Sequence, residues 1–116
     1  MNKEAVKKQL DITLSNLIEV KTDARAYLDC VNKGDEEDTG RALVRLGIET
    51  RLTCLMAQPY AGDQPSYRHA KQVLAQLDAN VKDEEAKVQP DAIRELIQDA
   101  DDLIEALTAK LREVEK

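Results

Sequence analysis

Apolar residues recur at alternating spacings of three and four residues along much of this chain of 116 residues. In the first such segment the recurring positions are Leu10, Leu14, Leu17, Ala24, Leu28 and Val31. This spacing places side chains on one face of an α-helix. With only 4 Gly and 3 Pro in the chain, little interrupts such helices. The fold is therefore predicted to be all-α.

Four helices are predicted, and glycines and prolines mark the breaks between them. Gly34 ends the first helix, and the acidic run that starts at Asp35 caps the second. The stretch 58–66 holds two prolines and a glycine, and it separates the second helix from the third. Pro90 suits the first turn of the fourth helix. The predicted helices cover about residues 3–32, 36–57, 66–86 and 91–115.

The second predicted helix is apolar around most of its circumference. Val44, Ile48, Leu52 and Leu55 are spaced as one stripe. The stripe is widened by Leu43, Leu46, Cys54 and Met56. Because a helix that is apolar over most of its circumference is usually the most buried one, this helix is predicted to be the most buried of the four. Gly47 costs helix propensity in the middle of the same helix. A neighbouring helix is therefore predicted to approach closely at Gly47.

Four helices of about 20–30 residues, joined by short links, predict an antiparallel up-down four-helix bundle. The length is that of a single domain, covering residues 1–116. The alternative is a pair of helical hairpins that completes its bundle by dimerisation. A second apolar strip on the first helix would serve that dimer, and it consists of Ile12, Val20 and Tyr27.

The charge of the chain is acidic, with 17 basic and 23 acidic side chains and a net charge of −6. A negative surface repels phosphate backbones and anionic lipids, so neither direct nucleic-acid binding nor membrane binding is expected. No apolar run approaches the roughly 20 residues of a membrane span. No apolar stretch follows the first lysines, so no secretory signal is expected either. A cytoplasmic location is the resulting expectation.

Catalytic and metal chemistry find little support in the sequence. His69 is the only histidine, which excludes sites that need two. Cys30 and Cys54 are predicted near opposite ends of a helical hairpin, roughly 30 Å apart along its axis, too far for a disulfide. No catalytic residue, bound cofactor or metal site is therefore predicted. The competing prediction is a small helical enzyme that uses Cys54 with His69, near the junction of the second and third helices.

Two groups of residues are candidates for binding a partner. The first is an acidic row on the fourth helix, formed by Asp91, Glu95, Asp99 and Asp102. Like charges stacked on one helix face destabilise it unless positive charge lies nearby. We therefore predict a docking face for a protein with a basic surface.

The second group lies in and just after the predicted link between the second and third helices. It consists of Tyr60, Tyr67, Arg68 and His69. Tyrosine and arginine are enriched at interface hot spots, and loops on a rigid scaffold often carry function.

These features favour a non-catalytic protein–protein interaction module without a cofactor, of the adaptor, immunity or inhibitor type. A small acidic phage or mobile-element inhibitor of a nucleic-acid enzyme is one specific form, suggested by charge and size. The alternatives are the small enzyme described above and a structural homodimer.

Overall fold

The computed structural model describes residues 2–82 and 88–116, which form four helices and no strand. The prediction of an all-α fold is therefore confirmed. The helices are α1 (Lys3–Lys33), α2 (Glu36–Ala61), α3 (Pro65–Lys82) and α4 (Pro90–Glu115). The end of the third predicted helix, at residues 83–86, lies outside the described residues.

The four helices pack as an antiparallel bundle of 49 × 21 × 19 Å. Each helix contacts the next one in the chain, and α4 closes the ring against α1. Across the diagonals, α2 and α4 make a small contact, while α1 and α3 are separated. One chain therefore completes the bundle core without a second copy.

The helix boundaries follow local capping chemistry. Asn2 caps α1 by accepting a hydrogen bond from the Ala5 amide, and Asp35 caps α2 by accepting one from the Asp38 amide. Gly34 ends α1 with a φ of 74°, the left-handed conformation that glycine adopts without a steric penalty. The predicted stop at Gly34 and cap at Asp35 are confirmed.

The junction of α2 and α3 is shorter than predicted. The sequence pattern predicts an end of α2 near residue 57, whereas α2 continues through Pro59 to Ala61. Because Pro59 lies in the last turn, its missing N–H removes only one bond near the helix end. Pro65 then occupies the first position of α3, where a proline is favoured. Only residues 62–64 link the two helices.

Three of the four predicted apolar seams are buried as expected. Their most buried side chains include Leu10, Leu17, Ala24, Val73, Leu77, Ile93, Leu96 and Leu107. The proposed dimerisation strip on α1 was wrong, because Val20 and Tyr27 are buried in this core and Ile12 alone of the three is exposed.

The prediction that α2 is buried over most of its circumference was wrong for one side of the helix. Val44, Ile48, Leu52 and Leu55, which we call the outer stripe, are all exposed. The buried face of α2 is formed instead by Leu43, Leu46, Thr50, Thr53, Cys54, Ala57 and Ala61. At about 100° per residue, these two sets lie on nearly opposite sides of the helix. An apolar pattern on both sides does not show which side faces the core.

Candidate functional site

The outer stripe is the largest group of exposed aliphatic side chains in the described part of the chain. The exposed fractions are 48% for Val44, 62% for Ile48, 47% for Leu52 and 69% for Leu55. Spacings of four, four and three residues keep them within an arc of about 80°. Contiguous exposed apolar surface of this kind marks an interaction site more often than a solvated one.

Ile12 of α1 extends this apolar surface beside the C-terminal half of α2. Gln9 and Asn16, three residues before and four after Ile12, both contact α2. The Tyr60 hydroxyl donates to Gln9, and the Asn16 amide lies 3.1 Å from the Met56 sulfur. Residues three and four apart share a helix face. Ile12, itself 42% exposed, therefore lies on the α2 side of α1.

Charged residues border the outer stripe in its N-terminal half. Glu37 and Asp38 lie in the first turn of α2, and both form ion pairs with Arg41. Further along, Arg45 and Glu49 flank Ile48 on the side toward α1. No charged residue occurs between Leu52 and Ala61. The face is thus amphipathic at one end and apolar at the other.

Arg45 also faces a buried acid on α1. Asp23 is only 8% exposed, and burial raises the pKa of its carboxyl group, while the positive charge of Arg45 acts to lower it. The positive charge of Arg45 therefore stabilises a carboxylate at the edge of the α1–α2 contact.

The predicted acidic row is interrupted by a histidine. Asp99 is buried, with Oδ2 2.5 Å from Nδ1 of His69, and Glu95 Oε2 lies 3.4 Å from Nε2 of the same ring. The hydrogen bond to Asp99 raises the pKa of His69. Burial raises the pKa of Asp99, against the opposing effect of His69. Here the positive charge that an acidic row needs comes from α3 of the same chain.

The other two members of the row are exposed but not isolated. Asp91 lies 2.7 Å from Arg94, and Asp102 accepts a hydrogen bond from Gln98 at 3.0 Å. The surface available to a basic partner is therefore limited to Asp91, Glu95 and Asp102.

The structure separates the residues of the predicted α2–α3 cluster. Tyr67 is buried, Tyr60 is half-buried and directed toward Gln9, and Arg68 is exposed. His69 is directed toward α4 instead. These four side chains therefore do not share one surface.

The pair Cys54 and His69 lacks the environment of a nucleophile and its base. Cys54 is 6% exposed, and burial raises the pKa of its thiol to about 11. Reactive cysteines instead have lowered pKa values and partial exposure. Both ring nitrogens of His69 already face carboxylates. Cys54 and the half-buried Cys30 are both free thiols.

Within residues 2–82 and 88–116, no group of three or more His, Cys, Asp or Glu side chains is arranged to hold a metal ion. None of the described helices combines the length and apolar character of a membrane span. Comparisons of the chain with protein-family models, curated proteins and solved structures return no match.

Proposed function

We propose that this protein is a non-catalytic protein–protein interaction module that binds its partner through the outer stripe. The observation that carries the proposal is the exposure of all four stripe residues on the outward side of α2. Apolar anchors at i, i+4, i+8 and i+11 are typical of helices that bind in a groove or against another helix. Adaptor, immunity and inhibitor proteins can all use such a surface.

The stripe can supply useful but limited binding energy. Full burial of a Val, Leu or Ile side chain contributes about 1.5–3 kcal/mol, so a half-exposed one has roughly 1 kcal/mol left to gain. Four such residues gain roughly 4 kcal/mol, whereas association costs at least about 4 kcal/mol. Contacts beyond the stripe must therefore contribute, and Ile12, Arg45 and Glu49 are placed to do so.

A basic rim on a second partner, one that binds α4 rather than the outer stripe, remains part of the proposal, because α4 lies diagonally across the bundle from α2. The chain carries a net charge of −6, and Glu95 and Asp102 are exposed on α4. No step of this function requires a cofactor. The free thiols of Cys30 and Cys54 support a reducing compartment such as the cytoplasm.

Affinity capture from the native host, followed by mass spectrometry, tests the proposal. The bait proteins are the wild type, Ile48→Glu, and the matched control Ile18→Glu. Ile18 is 57% exposed and lies on α1 three residues from Lys21, which pairs with Asp101 of α4, away from the outer stripe. Proteins held by the wild type and the control but lost with Ile48→Glu support the proposal. If Ile48→Glu retains every captured protein, the outer stripe is not the binding surface.

The contribution of the acidic face is measured separately. The double charge reversal Glu95→Lys/Asp102→Lys should weaken binding of a partner with a basic rim without reducing helicity by circular dichroism. Unchanged affinity for the captured partner would remove the acidic face from the proposal.

A further inference from the structure

We infer that the partner covering the outer stripe is a second copy of this chain, with the two α2 helices antiparallel about a two-fold axis at Ile48. This inference rests on the proposed function and names the partner for the same surface. It is carried by the apolar register of the stripe and by the charges beside it.

The stripe is self-complementary in the antiparallel direction. A two-fold axis at Ile48 places Val44 of each copy opposite Leu52 of the other, because both lie four residues from the axis. Leu55 then meets Arg41 of the second copy, whose methylene groups can cover it while the guanidinium stays in water. Every residue of the outer stripe thereby gains an apolar neighbour.

The charges nearest the axis are complementary in the same register. Arg45 and Glu49 lie on the same side of the stripe, three residues before Ile48 and one residue after it. A two-fold axis perpendicular to the paired helices keeps equivalent sides together. Arg45 of one copy then lies within about 3 Å, along the helix axis, of Glu49 of the other. The pair forms twice in the dimer.

The charges at the ends of the stripe are also complementary in the antiparallel register. Glu37 lies eleven residues before Ile48, and so it faces position 59 of the second copy, in the last turn of α2. The bond between Tyr60 and Gln9 places the N-terminal part of α1 at this level. Lys8 is exposed there, one turn before Ile12. The acidic start of one α2 thus meets a basic residue, whereas a parallel pair would bring two acidic ends together.

The available area suits a weak dimer. A helix of 26 residues is about 39 Å long and about 10 Å wide, so the α2 pair covers roughly 400 Å² on each copy. A standard interface buries about 800 Å² on each partner, so residues that flank the stripe must also contribute. The dimer needs no refolding, because each chain already has a complete four-helix core.

Sedimentation equilibrium on the purified protein, from micromolar to millimolar concentration, tests this inference. The wild type and Ile18→Glu should dimerise. Ile48→Glu places two like charges on the axis and should raise the dissociation constant at least about 30-fold. Its circular dichroism should match that of the wild type, since the site is exposed. A monomeric wild type, or equal effects of the two variants, would overturn the inference.

A charge exchange tests the antiparallel register. In an Asp23→Asn background, which removes the charge that Arg45 faces within its own chain, Arg45→Glu should weaken the dimer about tenfold, and Arg45→Glu/Glu49→Arg should restore it, because the exchanged pair again joins the two copies. Failure of the double variant to recover would overturn this register. A monomeric wild type that still captures a different protein through Ile48 would end the inference and leave the proposed function intact. If neither dimerisation nor capture of a partner depends on the outer stripe, both the inference and the proposed function are wrong.

Discussion

Helices α2 and α4 are equal in length but distribute their aliphatic residues in opposite ways. In α4 the large side chains face inward, and Ile93, Leu96 and Leu107 are almost completely buried. In α2 the large side chains of the outer stripe face outward, while the inner face holds mainly Thr, Ala and Cys. These small residues help to line an internal cavity of about 10 Å³. An inner face of this kind leaves the large residues of α2 outside the chain's own core.

The largest expected effect distinguishes the two faces of α2. Leu46→Ala should lower the free energy of unfolding by about 3 kcal/mol, because Leu46 is completely buried and the truncation leaves a cavity. Ile48→Ala should change it by less than about 0.5 kcal/mol. Urea denaturation of monomeric protein at low concentration measures both values. Equal decreases in the free energy of unfolding would mean that Ile48 is as buried as Leu46. The contrast between α2 and α4 would then be wrong.

The next effect concerns the polar edge where α4 meets α3. His69→Ala should destabilise the protein by about 1–2 kcal/mol, because it leaves the buried Asp99 carboxylate without its charged partner. The ring is partly exposed, which keeps the loss moderate. Arg68→Ala, at the exposed neighbouring position, is the control and should be nearly neutral. A loss as large for Arg68→Ala would contradict a specific role for the His69–Asp99 pair.

The same pair predicts a pH dependence of stability. The pKa of His69 is raised in the folded state, so its contribution is complete below the unfolded pKa of about 6.5 and is lost as pH rises through the folded pKa. As the pH rises from about 6.5 through the raised folded-state pKa, the free energy of unfolding should therefore fall. His69→Gln should flatten this part of the profile. If the free energy of unfolding falls equally steeply with pH in His69→Gln, other titrating groups cause the pH dependence.

A smaller effect, and a stabilising one, is expected from a substitution on the inner face of α2. Thr50 Oγ1 is buried without a hydrogen-bond partner among the described residues. Thr50→Val should therefore stabilise the protein by about 1 kcal/mol. The control is Thr53→Val, since the Thr53 hydroxyl donates to the Glu49 carbonyl at 2.7 Å and would lose that bond. In thermal unfolding, the melting temperature should rise for Thr50→Val and fall for Thr53→Val. A change of the same sign in both variants would contradict this account.

The smallest expected effect comes from Gly47. A Cβ there would lie 4.0 Å from Leu77 Cβ, at ordinary contact distance. The neighbouring helix therefore leaves room for a methyl group, and the predicted close approach is not tight enough to require glycine. Gly47→Ala should stabilise the protein by about 0.4–1 kcal/mol. Gly34→Ala should instead cost about 1 kcal/mol at its positive φ. Thermal melts of the two variants give the comparison, and a destabilised Gly47→Ala would show tighter packing than the distance indicates.

The sequence predicts the fold well where one pattern dominates. In α3 and α4 a single seam is apolar, in α1 the heptad seam is longer than the second strip, and Gly34 and Asp35 mark a boundary. Pro59 misled the prediction of the α2 end, because a proline in the last turn costs too little to stop a helix. The pairing of His69 with Asp99 joins residues on different helices, and no spacing within one helix reveals it.

The orientation of α2 did leave a signal in the sequence. The three arginines of α2, Arg41, Arg45 and Arg51, all lie on the half of the helix that carries the outer stripe. The opposite half, from Leu43 to Ala61, is free of charge at every buried position. Hydrophobicity alone favours the larger side chains as core, whereas the distribution of charge identifies the face that remains in water. That criterion would have placed the outer stripe correctly.

The two short links on either side of α2 also limit how that helix can turn. Only Gly34 and Asp35 connect it to α1, and only residues 62–64 connect it to α3. Rolling α2 by half a turn would move both of its ends across the bundle, and links of two and three residues give little slack for that movement. Chain connectivity therefore holds the aliphatic side chains outward even when nothing covers them. Longer links at both ends of α2 would release this restraint and let the helix turn the stripe toward its own core.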